Sequence, residues 1–313
     1  MSINKKYVEI FQKVSAKAAL ASFHLVGKKD KIAADKAAVD SMRSELNKID
    51  MSGEVVIGEG ELDEAPMLYI GEKLGTFTGP FFDIAVDPLE GTNLAANNLP
   101  GALSVIAIAE KSNLFNAPET YMDKIAIMSP NKDIVDLDNP IKKNISNLSD
   151  FLNKDPSQLT ACLLDRSRHK KVIDELKSMK VNLKLISDGD VSGALLVSQK
   201  KSNVDIFLGI GGGPEGVLAA SALDTYGCFF QGRFLFDNDN DKNRAKKMGI
   251  NDYNRKYDIN EIVLGDSIFC ATGITSGELV NGIEIQNDSF ISETLITHKS
   301  SNYMKVVKTK QKL

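Results

Sequence analysis

The sequence predicts an α/β protein in which mixed sheets alternate with layers of helix. Three observations carry that expectation. Apolar runs of strand length recur between residues 55 and 209, stretches with helical spacing alternate with them, and Gly-rich turns separate the two. A length of 313 residues suffices for one large domain or two modest ones, and 42% hydrophobic with 26% charged residues is an ordinary globular balance.

Taken in order, residues 3–26 and 30–49 read as two helices, with Gly27 as the stop between them. In the second, Ala38, Val39, Met42, Leu46 and Ile49 form an apolar stripe, and Asp35 points to the same side. Residues 55–57, 82–86 and 103–109 read as strands, with 124–128 a weaker strand signal. In the second half, strands at 160–164, 183–186 and 204–209 are followed by helices near 169–179, 190–200 and 214–225. Residues 153–159, centred on Asp155-Pro156, mark the expected boundary between halves spanning 1–155 and 156–313. Residues 237–256 are polar enough to predict a mobile loop, and the tail from Ser267 reads as terminal antiparallel strands.

Composition excludes several function classes. The net charge of −4 offers no basic footprint for nucleic acid. No run approaches the ~18 apolar residues of a membrane span, and the N-terminal residues form a charged helical pattern without an apolar leader. A cytoplasmic protein is expected. Cys162, Cys228 and Cys270 are scattered in apolar settings, which predicts buried free thiols. His24, His169 and His298 lack zinc-ligand spacing, and no Gly-x-Ser-x-Gly elbow is present. Chemistry must rest on carboxylates, hydroxyls, lysine and arginine.

Five segments supply such groups. Gly58-Glu59-Gly60-Glu61-Leu62-Asp63-Glu64 places four acids just beyond a strand, where open α/β sheets gather ligands. In Asp87-Pro88-Leu89-Glu90-Gly91-Thr92, a buried strand is expected to deliver Asp87, Pro88 to end the ladder and Gly91 to allow a tight turn. Asp87, Glu90 and Thr92 then offer oxygen ligands suited to Mg²⁺ or Mn²⁺ and a hydroxyl beside them. Asp35 is the third feature. The fourth, Gly209-Ile210-Gly211-Gly212-Gly213-Pro214-Glu215-Gly216, can present bare N–H groups to phosphate, with Pro214 in a first helical turn and Glu215 as an acid there. The fifth comprises Arg166-Ser167-Arg168, suited to phosphate, and Asp188-Gly189-Asp190, suited to sugar hydroxyls or to capping the next helix. Two carboxylates ~4 Å apart repel by about 4 kcal/mol at an effective dielectric near ~20, so converging acids must take up protons or cations.

Together, Val56-Ile57-Gly58-Glu59-Gly60-Glu61, Asp87-Pro88-Leu89-Glu90-Gly91-Thr92, Ser187-Asp188-Gly189-Asp190, the Gly209–216 run and Ala271-Thr272-Gly273-Ile274-Thr275 resemble the class II fructose-1,6-bisphosphatases of bacteria. The resemblance runs in matching order from about residue 3 to 300. It lies within the metal-dependent, lithium-sensitive phosphatases. It implies a layered α/β/α/β/α sandwich of the sugar phosphatase type, and a hydrolase that releases the 1-phosphate of fructose 1,6-bisphosphate in gluconeogenesis. By resemblance, Asp35, Glu59, Asp87, Glu90 and Glu215 are ligands of Mn²⁺ or Mg²⁺. Thr92 matches the hydroxyl that orients the attacking water, with Asp63 and Lys31 as further catalytic positions. Glu90-Gly91-Thr92, Tyr121, Arg166, Ser167, Arg168, Asp188, Gly189, Asp190 and Gly212 match substrate contacts. Most metal ligands thus fall in residues 1–155, and the sugar-phosphate contacts with Glu215 fall in 156–313. The resemblance also implies a homo-oligomer, dimer or tetramer. Alternatives are a sedoheptulose-1,7-bisphosphatase, an inositol-phosphate phosphatase, a non-catalytic sugar-phosphate sensor, and a dehydrogenase that uses the glycine run for a dinucleotide.

Overall fold

The computed structural model describes residues 2–59, 67–116 and 118–313. Helices α1 (Lys6–Phe23) and α2 (Lys31–Leu46) lead into strands β1 (Ser52–Ile57), β2 (Lys73–Leu74) and β3 (Phe81–Glu90). A short α3 (Thr92–Ala96) precedes β4 (Leu103–Glu110) and β5 (Tyr121–Ile127). Then come α4 (Ile141–Leu152), β6 (Thr160–Leu164), α5 (Lys170–Ser178), β7 (Asn182–Ile186) and α6 (Asp190–Leu195). β8 (Ile206–Gly212), α7 (Gly213–Tyr226), β9 (Phe229–Leu235), α8 (Asp239–Lys247), β10 (Tyr257–Asp258) and α9 (Ile259–Ile262) follow. The chain closes with β11 (Ser267–Gly273), β12 (Glu284–Gln286), β13 (Ser289–His298) and β14 (Tyr303–Lys312). The predicted mixed α/β class holds.

Two compact units form, Met1–Asn116 with Ile262–Leu313, and Ala117–Glu261. In the first, an eight-stranded mixed sheet runs β12-β13-β11-β4-β3-β1-β2, with β14 on the far side of β13. Among the described residues, only β1 and β3 pair in parallel in this sheet. Tyr7, Phe11, Val14 and Ala18 lie at helical spacing on α1, and with Val39, Met42 and Leu46 of α2 they bury Phe82, Ile84, Val86, Ile106, Ile108 and Ile268. At α2 the side chain of Asp30 accepts the Ala33 N–H at 2.9 Å, capping the helix start. Gly27 turns the chain ahead of it at φ +77.

The second unit holds a six-stranded mixed sheet, β10-β9-β5-β8-β6-β7, in which β6 pairs in parallel with β7 and β8. Ile145 and Leu148 of α4 and Ile173 and Leu176 of α5 pack on one face, over Ile125, Ala161, Leu163, Ile206 and Leu208. On the other face α6 comes so close that a Cβ on Gly193 would sit 2.5 Å from Ile186 and 3.1 Å from Phe207. The layers are therefore helix on sheet in one unit and helix, sheet, helix in the other.

The units divide the chain differently from the halves 1–155 and 156–313. Asp155 and Pro156 lie inside the second unit, where Asp155 and Gln158 form a capping box on a single 3-10 turn between α4 and β6. The tail returns to the first sheet because β11 pairs with β4 over seven residues, Ser267↔Ala109 to Gly273↔Leu103. The expectation of a loop at 237–256 is also corrected. α8 forms there because Asn238 caps it, Asp239 and Asp241 stand in its first turn, and Arg244, Lys246 and Lys247 stand in its last. Cys162, Cys228 and Cys270 are free and buried, as expected, and burial pushes the Cys228 thiol up to about 12.

Lys256 ties Asp136 (2.6 Å) and Asp138 (2.6 Å) together, and Arg233 pairs with Asp138 while donating to the Asn254 carbonyl at 3.0 Å. Burial alone would raise the Asp136 carboxyl, but the Lys256 hydrogen bonds bring it below the ordinary 3.8. Hydrogen bonds from Lys256 and then Arg233 hold Asp138 below that value as well. Depressed carboxyl pKa values stabilise fully above the unfolded value and lose that contribution as pH falls through the folded one. Lys256→Met should therefore lower the melting temperature at pH 7, with the gap to wild type closing as pH drops below 3.8. Because Asp138 is 58% exposed, water screening keeps the effect near about 1 kcal/mol. Thermal melts of both proteins across acid pH check this. A gap that persists at low pH would assign Lys256 to packing.

Candidate active site

In the first unit the acids come from three elements. Asp35 projects from the second turn of α2, and Glu59 lies two residues beyond β1, where its N–H donates to the Leu68 carbonyl at 3.0 Å. The two carboxyls hydrogen-bond one another. Burial pushes the Asp35 carboxyl up and the contact with Glu59 draws it back, while Oδ1 of Asp35 is buried with no hydrogen-bond partner. Two acids sharing one half-buried position need a proton or a cation between them.

Strand β3 carries the other pair. Pro88 does not end it. Asp87 pairs with Val105 and Glu90 with Leu103, so Pro88 and Leu89 face Ser104 alone; the one extra residue forms a bulge and the strand runs on to a buried Glu90. A bulge absorbs a missing N–H that a regular ladder would not tolerate. Gly91 then adopts φ +79, as the tight turn requires, and Thr92 opens α3. Ala34 and Ala38 of α2 join Leu89, Leu94 and Ala95 in one apolar cluster, so small side chains let α2 approach this turn closely. Lys31, at the start of α2, donates to Oδ1 of Asn93 beside Thr92. Glu61, Asp63 and Glu64 lie outside the described residues. Among the described residues no group of three or more His, Cys, Asp or Glu is gathered closely enough to hold a metal ion.

In the second unit, Arg168 donates from Nε and Nη2 to the Ile210 carbonyl, at 2.9 and 2.8 Å, with its guanidinium 4.9 Å from the centre of the Tyr121 ring. Arg166 donates to the Ser187 carbonyl at 2.6 Å and stands 3.5 Å from Asp188. Gly189 takes φ +88 and Asp190 opens α6. Neither aspartate caps that helix by a side-chain bond, because Asp190 turns to Lys124 instead.

The glycine run also differs from expectation. Gly209 to Gly212 belong to β8 and pair with Lys124 to Tyr121, so they form strand rather than a free cradle. A Cβ on Gly211 would lie 2.1 Å from Asp190, and one on Gly212 would lie 1.8 Å from Glu215. The glycines thus make room for carboxyls. Pro214 stands in the first turn of α7, as the sequence implies, with Glu215 beside it. Burial among protein atoms pushes the Glu215 carboxyl up, Lys124 pulls it down, and Asp190 pushes it up again.

Two contributors escape sequence reasoning. Lys124 is 1% exposed, and its only signal is a charge on an inward-facing strand position. His169 bridges Leu164 O through Nδ1 (2.7 Å) and accepts the Ile210 N–H on Nε2 (2.8 Å), which fixes the ring and the glycine run together. Gly209 admits that ring, since a Cβ there would lie 2.9 Å from Nε2.

The family profile described as bacterial fructose-1,6-bisphosphatase, glpX-encoded, matches residues 5–311. The chain belongs to this family. It is accordingly a fructose-bisphosphatase, a phosphoric monoester hydrolase. A relative from Prochlorococcus marinus (strain MIT 9312), named D-fructose 1,6-bisphosphatase class 2/sedoheptulose 1,7-bisphosphatase, is 39% identical over 308 residues, covering 94% of this chain and 92% of its own. A relative of the same name from Synechococcus sp. (strain CC9311) is 39% identical over 314 residues, covering 96% and 94%. Among solved structures, inositol monophosphatase from Anabaena (Nostoc) sp. PCC 7120 aligns at a TM-score of 0.33 and 12% identity, over 62% of this chain and 71% of that one. Among the described residues no helix is long and apolar enough to cross a membrane.

Proposed function

We propose that the chain hydrolyses the 1-phosphate of fructose 1,6-bisphosphate, giving fructose 6-phosphate and inorganic phosphate, with sedoheptulose 1,7-bisphosphate as a second substrate. The second substrate rests on the joint name carried by the relatives. Asp35, Glu59, Asp87 and Glu90 are proposed to hold Mn²⁺ or Mg²⁺, with Glu215 as a further ligand. The observation that carries this reading is the pair of half-buried carboxyls, Asp35 and Glu59, packed against each other with one buried oxygen left unbonded on Asp35. An all-oxygen donor set suits hard cations. When bound, a divalent cation would offset the acids' repulsion and the charge on the phosphoryl oxygens.

The protein's own groups do the rest. Thr92 orients a water for in-line attack on phosphorus, the bond from phosphorus to the C1 oxygen breaks, and a proton passes to that leaving oxygen. Lys31 steadies the turn through Asn93, and Asp63 is proposed as the carboxylate base that takes the water's proton, the source of the proton passed to the leaving oxygen. Arg166, Arg168, Ser167 and Tyr121 grip the distal phosphate, while Asp188, Gly189, Asp190 and the Gly212 backbone receive the sugar. The working enzyme is proposed to be a cytoplasmic homo-oligomer, a dimer or tetramer, as the family resemblance implies.

Phosphate release from a panel of fructose 1,6-bisphosphate, sedoheptulose 1,7-bisphosphate and inositol 1-phosphate, before and after chelation, tests the reading. Turnover on the two sugar bisphosphates that vanishes with chelator and returns with Mn²⁺ or Mg²⁺ is expected. Sub-stoichiometric release from every substrate would make the chain a sensor.

A further inference from the structure

Lys124 lies inside the second unit, 1% exposed, and its Nζ donates to Oδ2 of Asp190 (8% exposed) and to the Gly212 carbonyl at 2.7 Å. A buried ammonium with two oxygen acceptors needs a shaped seat, and the chain supplies one. A Cβ on Gly216 would stand 3.2 Å from Cδ of Lys124, and one on Gly211 would strike Oδ2 of Asp190 at 2.1 Å. Two glycines on separate elements thus clear the path of the lysine stem and of the carboxyl it meets. The three joined groups sit on β5, at the first residue of α6 and at the last residue of β8.

We propose that Lys124 is a positioning residue for the sugar-hydroxyl subsite, an inference that rests on reading Asp190 and Gly212 as substrate contacts. By occupying Oδ2, Lys124 orients Asp190 so that Oδ1 is directed to a hydroxyl of a polyol phosphate. By holding the Gly212 carbonyl it fixes the junction of β8 with α7, and with it the backbone that receives the sugar. Lys124 itself touches no substrate.

The test is a double-mutant cycle on KM and kcat, at saturating metal, with Lys124→Met, Asp190→Asn and the two combined. Lys124→Met should raise KM for fructose 1,6-bisphosphate about ten- to hundredfold while kcat stays within about threefold, as expected when a charged hydrogen bond to bound substrate is lost. Because both residues act through one carboxyl, the combined variant should be no worse than the worse single one. Lys124→Gln, which keeps an N–H donor, carries the same comparison if Lys124→Met fails to fold. Leu176→Ala in the α5 core serves as control, since it should lower the melting temperature without moving KM. Wild-type phosphate release decides the functional reading by itself, and the ratios among variants decide the role of Lys124. An unchanged KM in folded Lys124 variants, or effects that multiply in the combined variant, would overturn it.

Discussion

Thr92→Ala should lower kcat for fructose 1,6-bisphosphate by about 10²–10⁴-fold, the usual worth of a group that positions or deprotonates an attacking water. KM should stay within about threefold, because the hydroxyl is proposed to act in the transition state and not to hold the sugar. The expectation follows from the local chain. A one-residue bulge in β3, a left-handed Gly91 and a helix starting at Thr92 fix one short turn, so the methyl of alanine removes the oxygen without moving the backbone. Thr92→Ser keeps that oxygen and should retain most of the turnover. Steady-state kinetics on the three proteins check this, and equal kcat for wild type and Thr92→Ala would remove the residue from the chemistry.

Glu59→Gln should be nearly as damaging, for a different reason. Asp35 and Glu59 press two carboxyls together where burial already disfavours charge on Asp35. A neutral amide ends the repulsion but removes the negative donor that makes the pair worth a cation. Loss of groups that merely orient a metal ligand costs about 10–100-fold, so loss of Glu59, the proposed ligand, should reduce turnover at fixed Mn²⁺ by more than about a hundredfold. The wild type should gain melting temperature on adding Mn²⁺, equivalent to about 2.7 kcal/mol at ~100 times Kd, and Glu59→Gln should gain little at the same concentration. Because the Asp35 carboxyl is raised, the folded chain without metal should also be relieved as pH falls toward its pKa.

Much of the fold was legible because its signals are local. Alternating apolar runs located β4 and β6 almost to the residue, and Gly27 and Gly91 marked turns that only a residue tolerant of positive φ fills easily. What the sequence hid is non-local or offsetting. Nothing near Ser267 announces a partner more than 150 residues away, yet β11 completes the first sheet beside β4. α8 is so polar that its apolar stripe vanishes, and its charges sort by helix end rather than by face. Pro88 reads as a stop because the bulge that accommodates it is a property of two strands, not one. The site follows the same rule. Acids at strand ends and the Thr92 turn stood out, whereas Lys124 looked like one more charged residue until its neighbours in space were known.

The central claim is that a divalent cation occupies the position shared by Asp35 and Glu59. Anomalous diffraction at the manganese edge, from crystals grown with Mn²⁺, measures it directly. A peak bonded to both carboxylates is expected. Clear density for the two side chains, still hydrogen-bonded to each other with no peak between or beside them, would contradict it.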